Sequence, residues 1–316
     1  MRHLRDSCQV DIRGSYQKKQ LISYGYYHGY KGYRFVKKSS QRISYSKFKE
    51  VVAVIEYDNR LKAALYQPLM FMETAIKNVV CNETLTGMGV CTFDGVYVEK
   101  MNDNPLDRKL RAKRLRLRNA LYSHISDRYR REEHMDNQMV RHFYDRGDDV
   151  PLWVVFEFMY LSDLANFFDC LNGETKSCIL ETISLRDKAL DTSCRLLSDM
   201  LYTMKGMRNA VAHNNIIFDA RVKDRTISKI LKKWIERETG IQNISLNSVI
   251  DYIIILCSLL KRIDFSNERM VSLVSAYKLA TEKLRQEVTD TIYKEIIQQN
   301  VERKLQALEI YIHAKS

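Results

Sequence analysis

Proline is nearly missing from this chain: three occur in 316 residues, beside eleven glycines. So few backbone breakers argue against a turn-rich β architecture, whose hairpins need Gly and Pro as punctuation. Alternating apolar and polar runs are equally scarce, while helix-favouring Leu, Lys, Glu, Arg and Met are common. The expected fold class is all-α. Paired cysteines are lacking too. Cys8, Cys81, Cys91, Cys170, Cys178, Cys194 and Cys257 make seven, with no C-x-x-C among them. That excludes an evenly paired disulfide framework and the usual zinc spacing, and fits reduced thiols in a cytoplasm. No N-terminal stretch has a signal-peptide core, and the longest apolar run, YIIILCSLL at 252–260, is about half a bilayer span. The protein is expected to be soluble and cytoplasmic, with no membrane partner. A P-loop, a G-x-G-x-x-G after a strand, H-E-x-x-H and G-x-S-x-G are all absent. Asp145, Asp148 and Asp149 are too scattered for a metal framework, so neither metal nor cofactor is expected.

What is present in excess is positive charge. A formal net charge of +12 favours polyanionic partners through counterion release, and RNA becomes the leading partner class. Two segments could carry that contact. YGYYHGYKGYRF (24–35) combines five tyrosines, three glycines, Lys31 and Arg34. Rings such as Tyr27 beside Lys31 suit stacking on bases, or the segment docks its rings on a helical body. RKLRAKRLRLR (108–118) holds seven cations: Arg108, Lys109, Arg111, Lys113, Arg114, Arg116 and Arg118. Leu106, Leu110, Leu117 and Leu121 would form the apolar stripe of an amphipathic helix there, leaving the cations to track phosphates or simply to be solvated.

The rest reads as helices. One runs from Tyr45 to about Leu85, with Pro68 marking a break or kink and Glu73 and Lys77 paired at i,i+4. Residues 86–105 are loop-like, and 127–149 form a charged loop or exposed helix. Pro151 opens LWVVFEFMYLSDLANFFDCL (152–171), apolar almost all round and so expected to be one buried helix. Its Glu157 would then need a cation. On a helix from about Asp191, Leu197, Leu201, Met204, Arg208 and Val211 share a face, making Arg208 the natural partner for Glu157. Helical stripes return at Met270, Leu273, Val274 and Tyr277 and at Val301, Leu305, Leu308 and Ile312, suited to a neighbouring helix or a second subunit.

That helix ends in MKGMRNAVAHNN (204–215). Cleavage of RNA by its own 2′-OH needs a base, an acid and a group that stabilises the phosphorane. Histidine titrates in the right range for proton transfer, and an arginine fork suits the extra negative charge. Arg208 and His213 supply those types, and Asn209 could orient the His or hold a phosphate oxygen. Arg-x(4–6)-His spacing recurs at Arg118/His124 and Arg128/His134. Asn209 and His213, however, lie about 40° apart on a helix, whereas Asn119 and His124 lie about 140° apart. Geometry prefers the later motif.

RNAVAH (208–213) resembles the R-N-x-x-x-H signature of HEPN ribonuclease domains. YYHGYKGYRF (26–35), IEYDNRLKAAL (55–65), METAIKN (72–78), PLWVVFE (151–157) and LSDL (161–164) are similar, in order and spacing, to segments of the Abi-like proteins of bacterial abortive infection, of the AbiD/AbiF type. The resemblance covers roughly residues 20–265. Lys77 stands where an Arg is usual, Asn214 where a second His is common, and Arg34-Phe35 lacks the usual Pro.

The resemblance implies a HEPN-like helical bundle over 41–265 with a basic insertion around 95–149. An irregular Tyr-rich segment (1–40) packs on that body, and C-terminal helices (266–316) extend it. It makes Arg208 and His213 the catalytic pair, Asn209 their support and Glu157 a residue behind them. It implies a metal-independent endoribonuclease acting as a toxin in phage defence, leaving 2′,3′-cyclic phosphate ends. Such domains typically pair, so a homodimer is expected, and an antitoxin or a structured regulatory RNA would be further partners. Two rival readings stay open: an RNA-binding module without catalysis, and an interaction protein in which Arg208 only pairs with Glu157.

Overall fold

The computed structural model describes residues 2–130, 135–222 and 227–314, the side chains of 135–137 excepted. Among them the regular structure is helical, with four isolated bridge pairs and no β-strand. The all-α expectation holds. No helix among the described residues is long and apolar enough to cross a membrane. All seven cysteines are free. The chain forms two compact units: Met1–Met70 with Gly206–Ile227 and Ile235–Ser316, and Phe71–Lys205 with Ser228–Trp234.

The spine of the first unit is the start of a 38-residue helix, Phe48–Leu85. Glu50 begins it by accepting from the backbone N–H groups of Ser46 and Lys47 at 2.8 and 2.9 Å, the reach-back half of a capping box. Val51, Val54, Leu61, Leu65, Leu69, Met72, Ile76 and Val80 are all buried, at steps of three, four or seven residues. Asp58 falls on the same stripe. Of the break or kink expected at Pro68, the break does not occur: the helix runs through it. A mid-helix proline costs about 3 kcal/mol through its lost backbone bond and the clash of its ring with the preceding turn, and the buried Leu65 and Leu69 on either side offset it by packing.

The N-terminal segment is more ordered than its composition suggests. Helix Gly14–Tyr24 leads into a single π-helical turn, Tyr26–Lys31. Tyr30 and Tyr33 are buried while Tyr27 stays exposed. Of the two uses open to this segment, its core rings take the docking one. Gly32 sits close to the loop after the motif helix: a Cβ there would lie 2.5 Å from Ile216 Cδ1, so that side chain would have to move aside. At the other end of the chain, Val249–Leu260 is buried on every side. Asn267–Glu287 packs against Val301–His313, and both C-terminal stripes are buried within this unit, so they need no second subunit. Lys304 pairs with the buried Asp251 at 2.6 Å.

In the second unit the basic helix, Arg108–Arg130, packs on helices Met135–Tyr144 and Leu161–Cys170. Two expectations need correction. Residues 152–171 form two helices, Leu152–Phe158 and Leu161–Cys170, separated by Met159 and Tyr160 in extended conformation. The break lets the buried Val154, Val155, Phe156 and Phe158 and then Leu164, Phe167 and Phe168 each face the core, which one straight helix apolar all round could not do. It also turns Glu157 and Trp153 outward, so Glu157 is exposed rather than buried. Its carboxylate keeps its water and the desolvation argument for a cation partner lapses. Glu157→Gln is expected to change unfolding free energy by less than about 0.5 kcal/mol. A chemical-denaturation curve shifted further would restore a structural role.

Candidate active site

The helix Leu196–Ala212 carries the motif. Asp191, just upstream, accepts from the Leu196 backbone N–H at 2.7 Å and so starts it. Leu197, Met200, Leu201, Met204, Met207 and Val211 are buried, and the helix passes through Gly206 without interruption. Arg208 and Asn209 are half-buried and His213 is exposed. The Arg208 guanidinium donates to Asn209 Oδ1 at 3.1 Å, and the His213 backbone N–H closes the last helical bond on the Asn209 carbonyl at 3.0 Å. Arg208 thus sits at the edge of the apolar stripe rather than within it.

The helix stops at a Schellman turn. Asn214 is left-handed (φ 54°), Asn215 N–H reaches Ala210 O at 2.7 Å and Asn214 N–H reaches Val211 O at 3.2 Å. Asparagine tolerates this backbone region better than other side-chain-bearing residues, so the chain keeps the turn although it departs from the second His of the resemblance. Beyond the turn the chain folds back over Asp58. Its Oδ1 accepts from the Ile217 and Phe218 N–H groups at 2.8 and 2.6 Å, and its Oδ2 from the Tyr33 hydroxyl at 2.7 Å. Lys62 lies 3.0 Å from Oδ2 and donates to Asn214 Oδ1 at 2.6 Å. Tyr33 stacks on Phe218, with centroids 5.6 Å apart. Burial, then the Asp58 charge, pushes the Tyr33 hydroxyl far above its ordinary value, so it remains a protonated donor. Arg221 completes the lock, pairing with Asp219 at 2.8 Å and donating to Gly32 O at 2.9 Å.

Asp58 and Lys62 are neighbours of the candidate site that reading for chemistry missed, although both lie inside the quoted IEYDNRLKAAL. A signal existed. Asp58 interrupts an otherwise apolar 3.6-residue stripe, and a cation follows it at i+4.

The other expected residues scatter. In the first unit Tyr27 is exposed, with the Lys31 ammonium 4.4 Å over its ring, a small cation–aromatic patch. In the second unit Arg108, Lys109, Arg111 and Arg116 are exposed on the basic helix. Arg114, placed by sequence on the charged face, is only 6% exposed. It donates to Asn102 O at 2.9 Å and Tyr97 O at 3.0 Å, and pairs with Asp103. It fills the stripe between Leu110 and Leu117, while Leu106, expected on that stripe, is 89% exposed and outside the helix. Lys113 pairs with Asp169 and donates to Tyr202 at 3.2 Å. Burial alone would lower its ammonium, but these partners hold it above the usual lysine value. Arg118 faces Asp94 at 3.6 Å, whereas His124 meets Asp163 at 3.0 Å and the edge of Tyr160. Arg118 and His124 therefore do not form one site. Arg128 lies over Phe158, and its spacing partner His134 is outside the described residues. Lys77 pairs with Glu73 at 3.1 Å, an ion pair within its own helix. Among the described residues no group of three or more His, Cys, Asp or Glu is placed to hold a metal ion.

A family model described as Abi-like protein matches residues 19–219. That span takes in the docked Tyr segment, the basic helix, RNAVAH and Asp219. No curated protein and no solved structure matches the chain.

Proposed function

The chain belongs to the Abi-like protein family, a family associated with abortive infection, and from that premise we propose that it is a HEPN-type endoribonuclease whose active residues are Arg208, Asn209 and His213. The observation that carries the reading is their arrangement at one helix end: an exposed His, and an Arg–Asn pair bonded at 3.1 Å one turn before it. His213 acts as general base or acid at the ribose 2′-OH or the leaving 5′-oxygen. Arg208 stabilises the phosphorane, and Asn209 orients the guanidinium or a phosphate oxygen. The reaction needs no metal and leaves a 2′,3′-cyclic phosphate and a 5′-hydroxyl. Glu157, exposed, has no assigned step.

One motif supplies one histidine, while acid–base cleavage uses two proton-transfer groups. A homodimer that brings two motifs together completes the set. In cells the protein acts as a toxin of phage defence, held off by an antitoxin or a regulatory RNA. The test is purified chain incubated with total bacterial RNA, with and without EDTA, and the ends probed for cyclic phosphate. New cyclic ends that survive the chelator are expected. Cleavage that EDTA abolishes would sink the reading, as would specific activity independent of protein concentration in a strictly monomeric sample for the dimer.

The exposed Arg108, Lys109, Arg111 and Arg116 favour a second reading, RNA grip without cutting. Changing all four to glutamine is expected to flatten the slope of log K against log salt by about 3 if each touches a phosphate. An unchanged slope removes this helix from the RNA path.

A further inference from the structure

Nothing holds the His213 ring directly: it is exposed and makes no hydrogen bond among the described residues. Its position is inherited from the backbone at a helix end, where helices fray. That end is held by the Schellman turn and by a side-chain contact to its left-handed residue, Lys62 Nζ to Asn214 Oδ1 at 2.6 Å. We propose that Lys62, anchored by Asp58, is a positioning residue for His213, fixing the left-handed residue that follows it. The inference rests on the reading of RNAVAH as an active site.

Three features point this way. The Lys62 side chain is only 10% exposed, and an ammonium taken out of water is expensive beside an apolar residue of similar length. Both of its partners serve the same turn: Asp58 also binds the N–H groups of Ile217 and Phe218, and Asn214 is the turn's left-handed residue. The ion pair is therefore aimed at the one point where the motif helix ends. Asn214, for its part, does two jobs that can be separated. Its backbone adopts φ 54°, which glycine does equally well, and its side chain accepts from Lys62, which glycine cannot do.

The experiment uses the full chain with Asn214→Gly, Lys62→Met, the double variant and Lys62→Arg. Cleavage of a dye–quencher oligoribonucleotide of mixed sequence gives kcat and KM, and hydrogen exchange is followed over residues 210–218. Each single variant is expected to lower kcat about 10- to 100-fold, the scale of a 1 Å misplacement, with KM changed far less. The double is expected to be no worse than either single, exchange over 212–216 to quicken, and Lys62→Arg to recover part of kcat. Asn214→Gly at wild-type kcat would overturn the proposal, as would losses that multiply in the double variant. If the wild type cleaves no RNA, the active-site reading fails and exchange alone judges the clamp. Exchange over 212–216 no faster in Lys62→Met or Asn214→Gly than in wild type overturns it as well.

Discussion

His213→Ala is expected to lower RNA cleavage about 100- to 10,000-fold, the range a positioned proton-transfer group contributes. Thermal unfolding should stay where it is, because the ring is exposed and bonds to nothing among the described residues. That pairing of a large catalytic loss with an intact fold is what distinguishes His213 from its neighbour. Arg208 is half-buried and bonded to Asn209, so Arg208→Ala is expected to mix any loss of transition-state stabilisation with lost packing. The control is His124→Ala, which removes the bond to Asp163 but touches no part of the motif. Growth arrest on induced expression, with cellular RNA probed for cyclic phosphate ends, reads all three at matched soluble protein. Arrest and new ends that survive His213→Ala but vanish with His124→Ala would move the chemistry to the His124–Asp163 pair.

The second large effect is on stability. Asp58→Ala is expected to destabilise the protein by about 3–5 kcal/mol, the cost of breaking a buried ion pair at one partner. Asp58 is fully buried, and its removal leaves the Lys62 ammonium without its anion. The Ile217 and Phe218 N–H groups and the Tyr33 hydroxyl lose their acceptor at the same time. Asp58→Asn keeps an acceptor but not the charge and should fall between. Urea unfolding followed by circular dichroism measures both. An Asp58→Ala midpoint equal to wild type would mean that water replaces the carboxylate, and that the hub is dispensable.

Much of this arrangement was legible in the residues. Scarce proline and glycine announced helices, and RNAVAH stood out because Asn209 and His213 share a face. Where reading failed, tertiary packing had overruled local pattern. Pro68 should interrupt a helix, yet buried leucines on both sides carry it through. The 152–171 stretch looked uniform because its break contains neither glycine nor proline; Met159 and Tyr160 take extended geometry only because the core calls for two short faces. Arg114 looked like one cation among seven, since nothing local reveals that the carbonyls of Tyr97 and Asn102 and the Asp103 carboxylate wait for it. The Lys62–Asn214 contact joins residues 152 positions apart, a distance no periodicity spans.

That same separation has a consequence for synthesis. Asp58 binds backbone groups 159 and 160 residues downstream. At about 5–20 residues per second, a ribosome needs on the order of 10–30 s to supply them after Asp58 itself is made. Until then the carboxylate has Lys62 beside it on the same helix, but no loop to hold. A nascent chain therefore carries RNAVAH without the Asp58 bonds to the following loop for most of its time on the ribosome, and fragments ending before Ile217 cannot make them.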